Sequence, residues 1–250
     1  MAEMVGEWHE EFFRGLGLDL WRQMATREQT EAEVDFLQTT LSVVPPARLL
    51  DVPCGNGRHS IEMAARGYAM TGVDITDELI HEGQGKAAAA GLSVDWSLGD
   101  MRKLRFDSEF DGAFCLGNSF GYLDDRGNRA FLAGVSRGLR PGARFVLDTA
   151  MAAESILPGL PEREWLWVGD ILVLIQNHYW AGESRLDSEY SFVRGGTTER
   201  RTASCCIYTV AEIKRMLRQV ELQAIATWSS LDAEPLRLGD HRLLLVSEKL

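Results

Sequence analysis

Residues 49–76 read LLDVPCGNGRHSIEMAARGYAMTGVDIT, and the reading of this stretch decides the fold. An apolar run (Leu49, Leu50, Val52) enters a Pro-Cys-Gly-Asn-Gly turn, and a helical pattern follows at once. Ile61, Met63, Ala64 and Ala65 give that helix an apolar face, and Gly67 ends it. Tyr68 to Val73 reads as a second short strand that delivers Asp74 at its carboxyl end. Strand, glycine turn, helix, strand, acid is the nucleotide-binding half of a doubly wound α/β fold. Gly55 and Gly57 let the backbone turn tightly and approach a ligand, because neither carries a Cβ. The free N–H groups at the helix start favour an anionic or carboxylate group. Asp74 is placed to accept hydrogen bonds from two ribose hydroxyls. The competing reading is that the glycines only shape a turn and that Asp74 caps the next helix.

Working outward, 250 residues allow one large domain, or one domain with an elaboration. An apolar content of 45% beside 25% charged residues is enough for a full core. The formal net charge of −11 argues against a nucleic-acid partner and against an anionic membrane surface. No apolar run is long enough to span a bilayer, and MAEMVGEWHEEFF lacks the basic flank and apolar core of a secretory leader. A cytoplasmic location is expected. Cys54, Cys115, Cys205 and Cys206 show no zinc-type spacing, so reduced and mostly buried thiols are expected, with no metal site.

Upstream, about Glu7 to Leu41 reads as helical, anchored by Phe12, Phe13, Leu16, Leu20, Trp21 and Met24, with Arg27 to Glu31 lying between two segments. Pro45-Pro46 stops the helix ahead of the core strand. Downstream of Asp74, Thr76 reads as the N-cap of a helix that Gly91 ends. Ser93 to Leu98 is a third strand, finishing in Gly99-Asp100-Met101. Phe110 to Leu116 is a fourth strand, and Gly117-Asn118-Ser119-Phe120-Gly121-Tyr122-Leu123 follows it at the crevice of the sheet. A helix over Asn128 to Leu139 and an Arg140-Pro141-Gly142 turn lead to a fifth strand, Ala143 to Asp148.

From Ala150 the pattern changes. Glu164 to Val168, Ile171 to Trp180, Ser184 to Val193 and Glu199 to Tyr208 read as strands separated by turn residues, an inserted antiparallel meander. It forms either the acceptor side of a pocket or a dimerisation sheet, and the two are compatible, so a homodimer is one expectation. Thr209 to Val220 is a helix opened by a Thr209/Glu212 capping box. Glu221 to Ser229 and His241 to Glu248 are the closing strands. The chain is read as one domain: residues 1–45 a helical lid, 46–149 the cofactor-binding half, 150–208 the meander, and 209–250 the final helix and strand pair.

Asp51-x-Pro53-Cys54-Gly55-x-Gly57-Arg58-His59-Ser60 resembles the first motif of class I S-adenosylmethionine-dependent methyltransferases, with Ser60 and Pro53 as departures. That resemblance implies a Rossmann-like seven-stranded sheet with an antiparallel last strand, and S-adenosyl-L-methionine as cofactor. Asp51, Pro53, Cys54, Gly55, Gly57 and Arg58 would meet the amino-acid end of the cofactor, and Asp74 and Ile75 the sugar. Gly99, Asp100, Met101 and Leu116 would meet the adenine and the transfer site, unless Asp100 is only a turn acid. Many small-molecule members carry an N-terminal helical lid, which makes Trp21 and Arg27 candidate lid contacts if these residues are not plain packing. Leu116 to Phe120 resembles the corresponding loop of glycine N-methyltransferase and related small-amine enzymes.

A methyl sulfonium is already an activated electrophile, so in-line transfer needs positioning and water exclusion, worth roughly 7–11 kcal/mol of the barrier. An aliphatic amine of pKa about 10.4 must lose a proton, at a cost of roughly 4–5 kcal/mol at pH 7. Asn118, Tyr122, His178 and Tyr179 are the candidate groups for this work, and alternation sends one of His178 and Tyr179 toward the pocket. The expected function is methyl transfer to a small-molecule acceptor, with nitrogen favoured over oxygen. A nicotinamide-dependent oxidoreductase and a non-catalytic binding protein on the same scaffold are the alternatives.

Overall fold

The computed structural model describes residues 8–250. Glu7 and the six residues before it, which include most of the stretch read for a leader, lie outside the described residues. The N-terminal region is three helices, α1 (Trp8–Phe12), α2 (Gly15–Met24) and α3 (Arg27–Leu41), where sequence led us to expect two segments. The Thr26 hydroxyl accepts from the Gln29 N–H at 3.1 Å, so Arg27 opens α3 instead of lying between helices. The buried stripe of α3, Thr30, Glu33, Val34, Leu37 and Leu41, recurs at helical spacing, with one acid in it.

The chain then alternates: β1 (Arg48–Asp51), α4 (Arg58–Ala65), β2 (Ala69–Asp74), α5 (Asp77–Ala89), β3 (Val94–Leu98), β4 (Phe110–Cys115), α6 (Asp125–Gly138) and β5 (Leu139–Thr149). After a short α7 (Ala153–Ile156) come β6 (Arg163–Val168), β7 (Ile171–Trp180), β8 (Arg185–Arg194) and β9 (Thr197–Cys206). The chain closes with α8 (Val210–Gln219), β10 (Leu222–Trp228) and β11 (Leu243–Lys249). Helix α6 starts three residues before the expected Asn128, because the Asp124 carboxylate caps it at the Gly127 N–H. Strand β5 starts at Leu139, not Ala143. Leu139 pairs with Phe110, and a register shift between Phe110 and Gly112 absorbs the Pro-Gly pair inside the strand.

A seven-stranded sheet runs in the order β10-β11-β5-β4-β1-β2-β3. Its strands pair in parallel except β11, which is antiparallel to both β5 and β10, as the resemblance implied. The core strands are apolar runs because helices cover both faces. Alternation divides them: Leu50, Ala113, Cys115, Phe145 and Leu147 enter one apolar layer, while Leu49, Phe114, Val146 and Leu244 enter the other. Burying each such large side chain contributes about 1.5–3 kcal/mol.

The inserted strands form a separate four-stranded antiparallel sheet, β6-β7-β8-β9, within two residues of the expected bounds. One face packs Ile171, Val173 and Phe192 against Leu16, Leu20 and Phe12 of the first two helices. A second apolar cluster, Leu186, Cys205 and Ile207 with Trp8, Tyr122 and Tyr179, joins this sheet to the loop after β4. All four cysteines are free, and three are buried. Among the described residues no helix is long and apolar enough to cross a membrane.

Candidate cofactor and acceptor site

A cavity of about 390 Å³ lies at the carboxyl ends of β1, β2, β3 and β4, between the sheet and the N-terminal helices. Its floor is the glycine turn. Gly55 has φ +55°, and a Cβ there would stand 2.8 Å from Trp21 Cη2, so the turn must be bare backbone beneath the lid indole. Asp74, at the end of β2, is buried and lines the cavity. One of its oxygens accepts from the Gly55 N–H and the other from the Thr76 N–H, each at 2.8 Å. Burial raises this carboxyl, and those N–H groups oppose the rise. The Thr76 side chain and the Ile75 N–H act on the same carboxylate and oppose the rise as well. Thr76 does start α5, but its side chain makes no cap bond.

Pro53, Cys54, Arg58, Ile75, Gly99, Asp100, Met101 and Leu116 also line the cavity, and so do Asn118 and Tyr122. Asp100 is held in place by the Arg102 N–H at 2.8 Å and the Arg102 guanidinium. Burial would raise its carboxyl, but these donors outweigh burial and lower it. Asn118, at φ +70°, accepts from Ala150 N–H at 2.7 Å and Thr149 Oγ1 at 3.1 Å through Oδ1. Its Nδ2 is thereby a donor, so Asn118 can orient an oxygen and cannot take a proton. Tyr122 lies 4.8 Å from Trp8 and is stacked on Phe13, and burial pushes its phenol far above the usual range.

Five expectations are corrected. Asp51 does not reach the cavity: it is 1% exposed beneath the glycine turn, where it accepts from Ser60 Oγ at 2.7 Å. Burial pushes its pKa up to about 7, and Ser60 offsets only part of that. The Ser60 departure from the motif is thus a partner for the strand acid. Gly57 faces away from the cavity; a Cβ there would stand 2.1 Å from Trp96, so packing as well as its φ of +73° demands glycine. Arg27 points to solvent and pairs with Glu31 at 2.7 Å, because the cap at Thr26 turns it off the lid face. His178 lies on the outer face of the four-stranded sheet against Trp180, at 4.1 Å between rings. Tyr179 does turn inward, but it ends in the apolar cluster around Tyr122 and does not line the cavity.

The sequence reading missed a buried ionic cluster on the cavity wall. Glu33, 2% exposed, meets Arg58 at 2.6 Å, His59 at 2.8 Å and Arg242 at 3.0 Å. Arg242 also meets Asp148 at 2.7 Å, and Asp148 accepts from the Gly117 N–H at 3.1 Å. Burial would raise the Glu33 carboxyl, but His59 and Arg58 outweigh it and hold it well below the ordinary carboxylate range. Burial, then Arg58, lowers the His59 pKa against the pull of Glu33. Among the described residues no group of three or more His, Cys, Asp or Glu side chains could hold a metal ion.

A bare glycine turn, an acid at the second strand end, an acid-turn after the third strand and the N-terminal helices border one partly open cavity, an arrangement whose chemistry suits a nucleoside. The volume suits one such ligand. Residues 49–142 match the family model described as a methyltransferase domain. The chain is 31% identical over 136 residues to an O-methyltransferase, resE, of Aspergillus sclerotiorum, covering 51% of this chain and 50% of that protein. It is 31% identical over 115 residues to glycine N-methyltransferase of Rattus norvegicus, covering 40% and 39%. It thus spans about half or less of the length of these curated relatives. An S-adenosylmethionine-dependent methyltransferase structure from Clostridium acetobutylicum superposes with a TM-score of 0.78 at 18% identity, over 92% of this chain and 95% of that one. Residues 49–142 are thus similar to a methyltransferase domain, and the chain shares its Rossmann-like fold with an S-adenosylmethionine-dependent methyltransferase structure.

Proposed function

We propose that the chain transfers a methyl group from S-adenosyl-L-methionine to a small-molecule acceptor, at nitrogen in preference to oxygen. One observation carries the reading: a single cavity joins Gly55, Asp74 and Asp100 to Asn118 and Tyr122 of the loop after β4. The residues fit the cofactor. Gly55, Pro53, Cys54 and Arg58 would hold its amino-acid end, Asp74 and Ile75 its ribose, and Asp100 and Met101 its adenine. When bound, it supplies an activated methyl electrophile, and the chain's own task is to position and to exclude water. Trp21, Phe13 and Tyr122 close the cavity over the transfer point. Asn118 Nδ2 orients an oxygen of the acceptor, and the acceptor's proton leaves toward His241, an imidazole that lines the cavity. Nitrogen is favoured because Leu116 to Phe120 resembles the loop of small-amine enzymes, whereas the relatives include both nitrogen and oxygen methyltransferases.

The test is a screen for S-adenosylhomocysteine release over amines, phenols and carboxylates, paired with calorimetric binding of S-adenosylhomocysteine and NAD. Binding of the first without the second, and turnover of an amine, is the expected result. Binding of NAD alone overturns the reading.

A further inference from the structure

We infer that Arg242 anchors a carboxylate that the acceptor carries near its methylated nitrogen, and that Glu33 and Asp148 are the positioning residues that aim its guanidinium. This deepens the methyl-transfer reading above and rests on it.

The inference starts from which guanidinium hydrogens are in use. Arg242 Nε donates to Asp148 Oδ1 at 2.7 Å, and Nη2 donates to Glu33 Oε1 at 3.0 Å and Asp148 Oδ2 at 3.2 Å. Nη1 makes no hydrogen bond among the described residues, and Arg242 lines the cavity. Two N–H donors of a rigid fork therefore remain for a ligand. Glu33 comes from α3, Asp148 from the end of β5 and Arg242 from just before β11, so three elements fix one planar group.

Its place in the cavity assigns it to the acceptor. Asp148 also binds the Gly117 N–H, which ties Arg242 to the Gly117-Asn118 crevice where transfer occurs. Arg58, the other guanidinium on Glu33, stands at the start of α4 beside the glycine turn, on the cofactor side. A bare ammonium ion near Arg242 would meet N–H groups it cannot accept from, while the Glu33 and Asp148 oxygens are already engaged. A carboxylate accepts from Nη1 in a charge-assisted bond and leaves the nitrogen beside it free to reach the methyl group. The same wall thus selects an amino carboxylate over a simple amine.

The experiment uses the whole chain and a panel of amino carboxylates, each paired with its primary amide and its decarboxylated amine. S-adenosylhomocysteine release is read for turnover, and S-adenosylhomocysteine binding is read separately by calorimetry. We expect kcat/KM at least tenfold higher for a carboxylate than for its amide or amine. Arg242→Lys and Arg242→Gln should raise KM for that carboxylate tenfold or more, with S-adenosylhomocysteine Kd within twofold of wild type. Arg242→Lys keeps a cation between the two acids, so it carries the test if Arg242→Gln unfolds. Glu33→Gln should raise the same KM, and Glu33→Asp should recover part of it, a rescue that loss of packing would not give. Equal turnover of amide or amine, an unchanged KM in Arg242→Lys, or cofactor-product binding with no carboxylate turned over would each overturn the inference and leave the cofactor site standing. Failure of the wild type to bind S-adenosylhomocysteine would sink the methyl-transfer reading itself, and this inference with it.

Discussion

Every residue from Leu243 to Ser247 on β11 is buried, whereas on β6 Trp165 and Trp167 stand 67% and 60% exposed. The two sheets answer different demands. The seven-stranded sheet has helices on both faces, so its central strands β1, β4, β5 and β11 are filled mostly by buried apolar groups that must match in size. The four-stranded sheet packs only one face against α1 and α2 and leaves the other to solvent. None of its residues lines the cavity, so the inserted strands do not form the acceptor wall the sequence led us to expect; the sheet touches the loop after β4 only through the cluster at Leu186, Cys205 and Tyr122. Every residue that lines the cavity therefore comes from the N-terminal helices, the seven-stranded sheet and its loops, and the four-stranded sheet, with one face in solvent, only braces them from behind.

The largest effect comes from striking the ionic cluster that ties α3 to the carboxyl end of the seven-stranded sheet. Glu33→Ala leaves Arg58 and Arg242 without their shared carboxylate, and we expect a loss of about 3–5 kcal/mol in unfolding free energy, read by denaturant titration. A loss under about 1 kcal/mol would mean that the cluster is solvated and positions nothing. Next comes Gly57→Val. The left-handed φ costs about 1–2 kcal/mol and the overlap with Trp96 about 1–3 kcal/mol more, read as a lower melting temperature. Because Gly57 faces Trp96 and not the cavity, this variant reports on folding, and its residual folded fraction should bind S-adenosylhomocysteine normally.

A third effect is a slope rather than a step. The folded pKa of Asp51 lies near 7, above its ordinary value of 3.8. A raised pKa gives stability that is full below the unfolded value and is lost as pH rises through the folded one. Wild type should thus lose stability relative to Asp51→Asn between about pH 4 and pH 7, in denaturant titrations at stepped pH. Glu33 has the opposite sign: its lowered pKa gives stability that is lost as pH falls below about 4.5, and because wild type and Asp51→Asn both carry Glu33 that loss cancels in their difference. A difference between wild type and Asp51→Asn that is flat with pH would contradict the burial assigned to Asp51. The smallest effect belongs to the outer face of the four-stranded sheet, where Trp165→Ser should change stability by no more than about 0.5 kcal/mol.

Much of the seven-stranded part was legible because its signals are local. A glycine turn between an apolar run and a helical stripe, with an acid two elements on, needs no long-range knowledge. Asp51 and Asp74 look alike in sequence, each an acid ending an apolar strand. They differ because the glycine turn folds over the end of β1 and covers Asp51, whereas Asp74 opens to the cavity. The ionic cluster was hidden for another reason: Glu33 and Arg242 stand 209 residues apart. Its one local trace was Glu33 itself, an acid on the buried stripe of α3 where periodicity asks for an apolar residue. For His178 and Tyr179, alternation gave the face but not the depth. Tyr179 points inward and still stops behind Tyr122.

The most direct test is a calorimetric titration of S-adenosylhomocysteine into wild type and Asp74→Ala. The account predicts one saturable site in wild type and at least a tenfold weaker one, about 1.4 kcal/mol or more, in the variant. No binding by wild type, or equal affinity in Asp74→Ala, would contradict it.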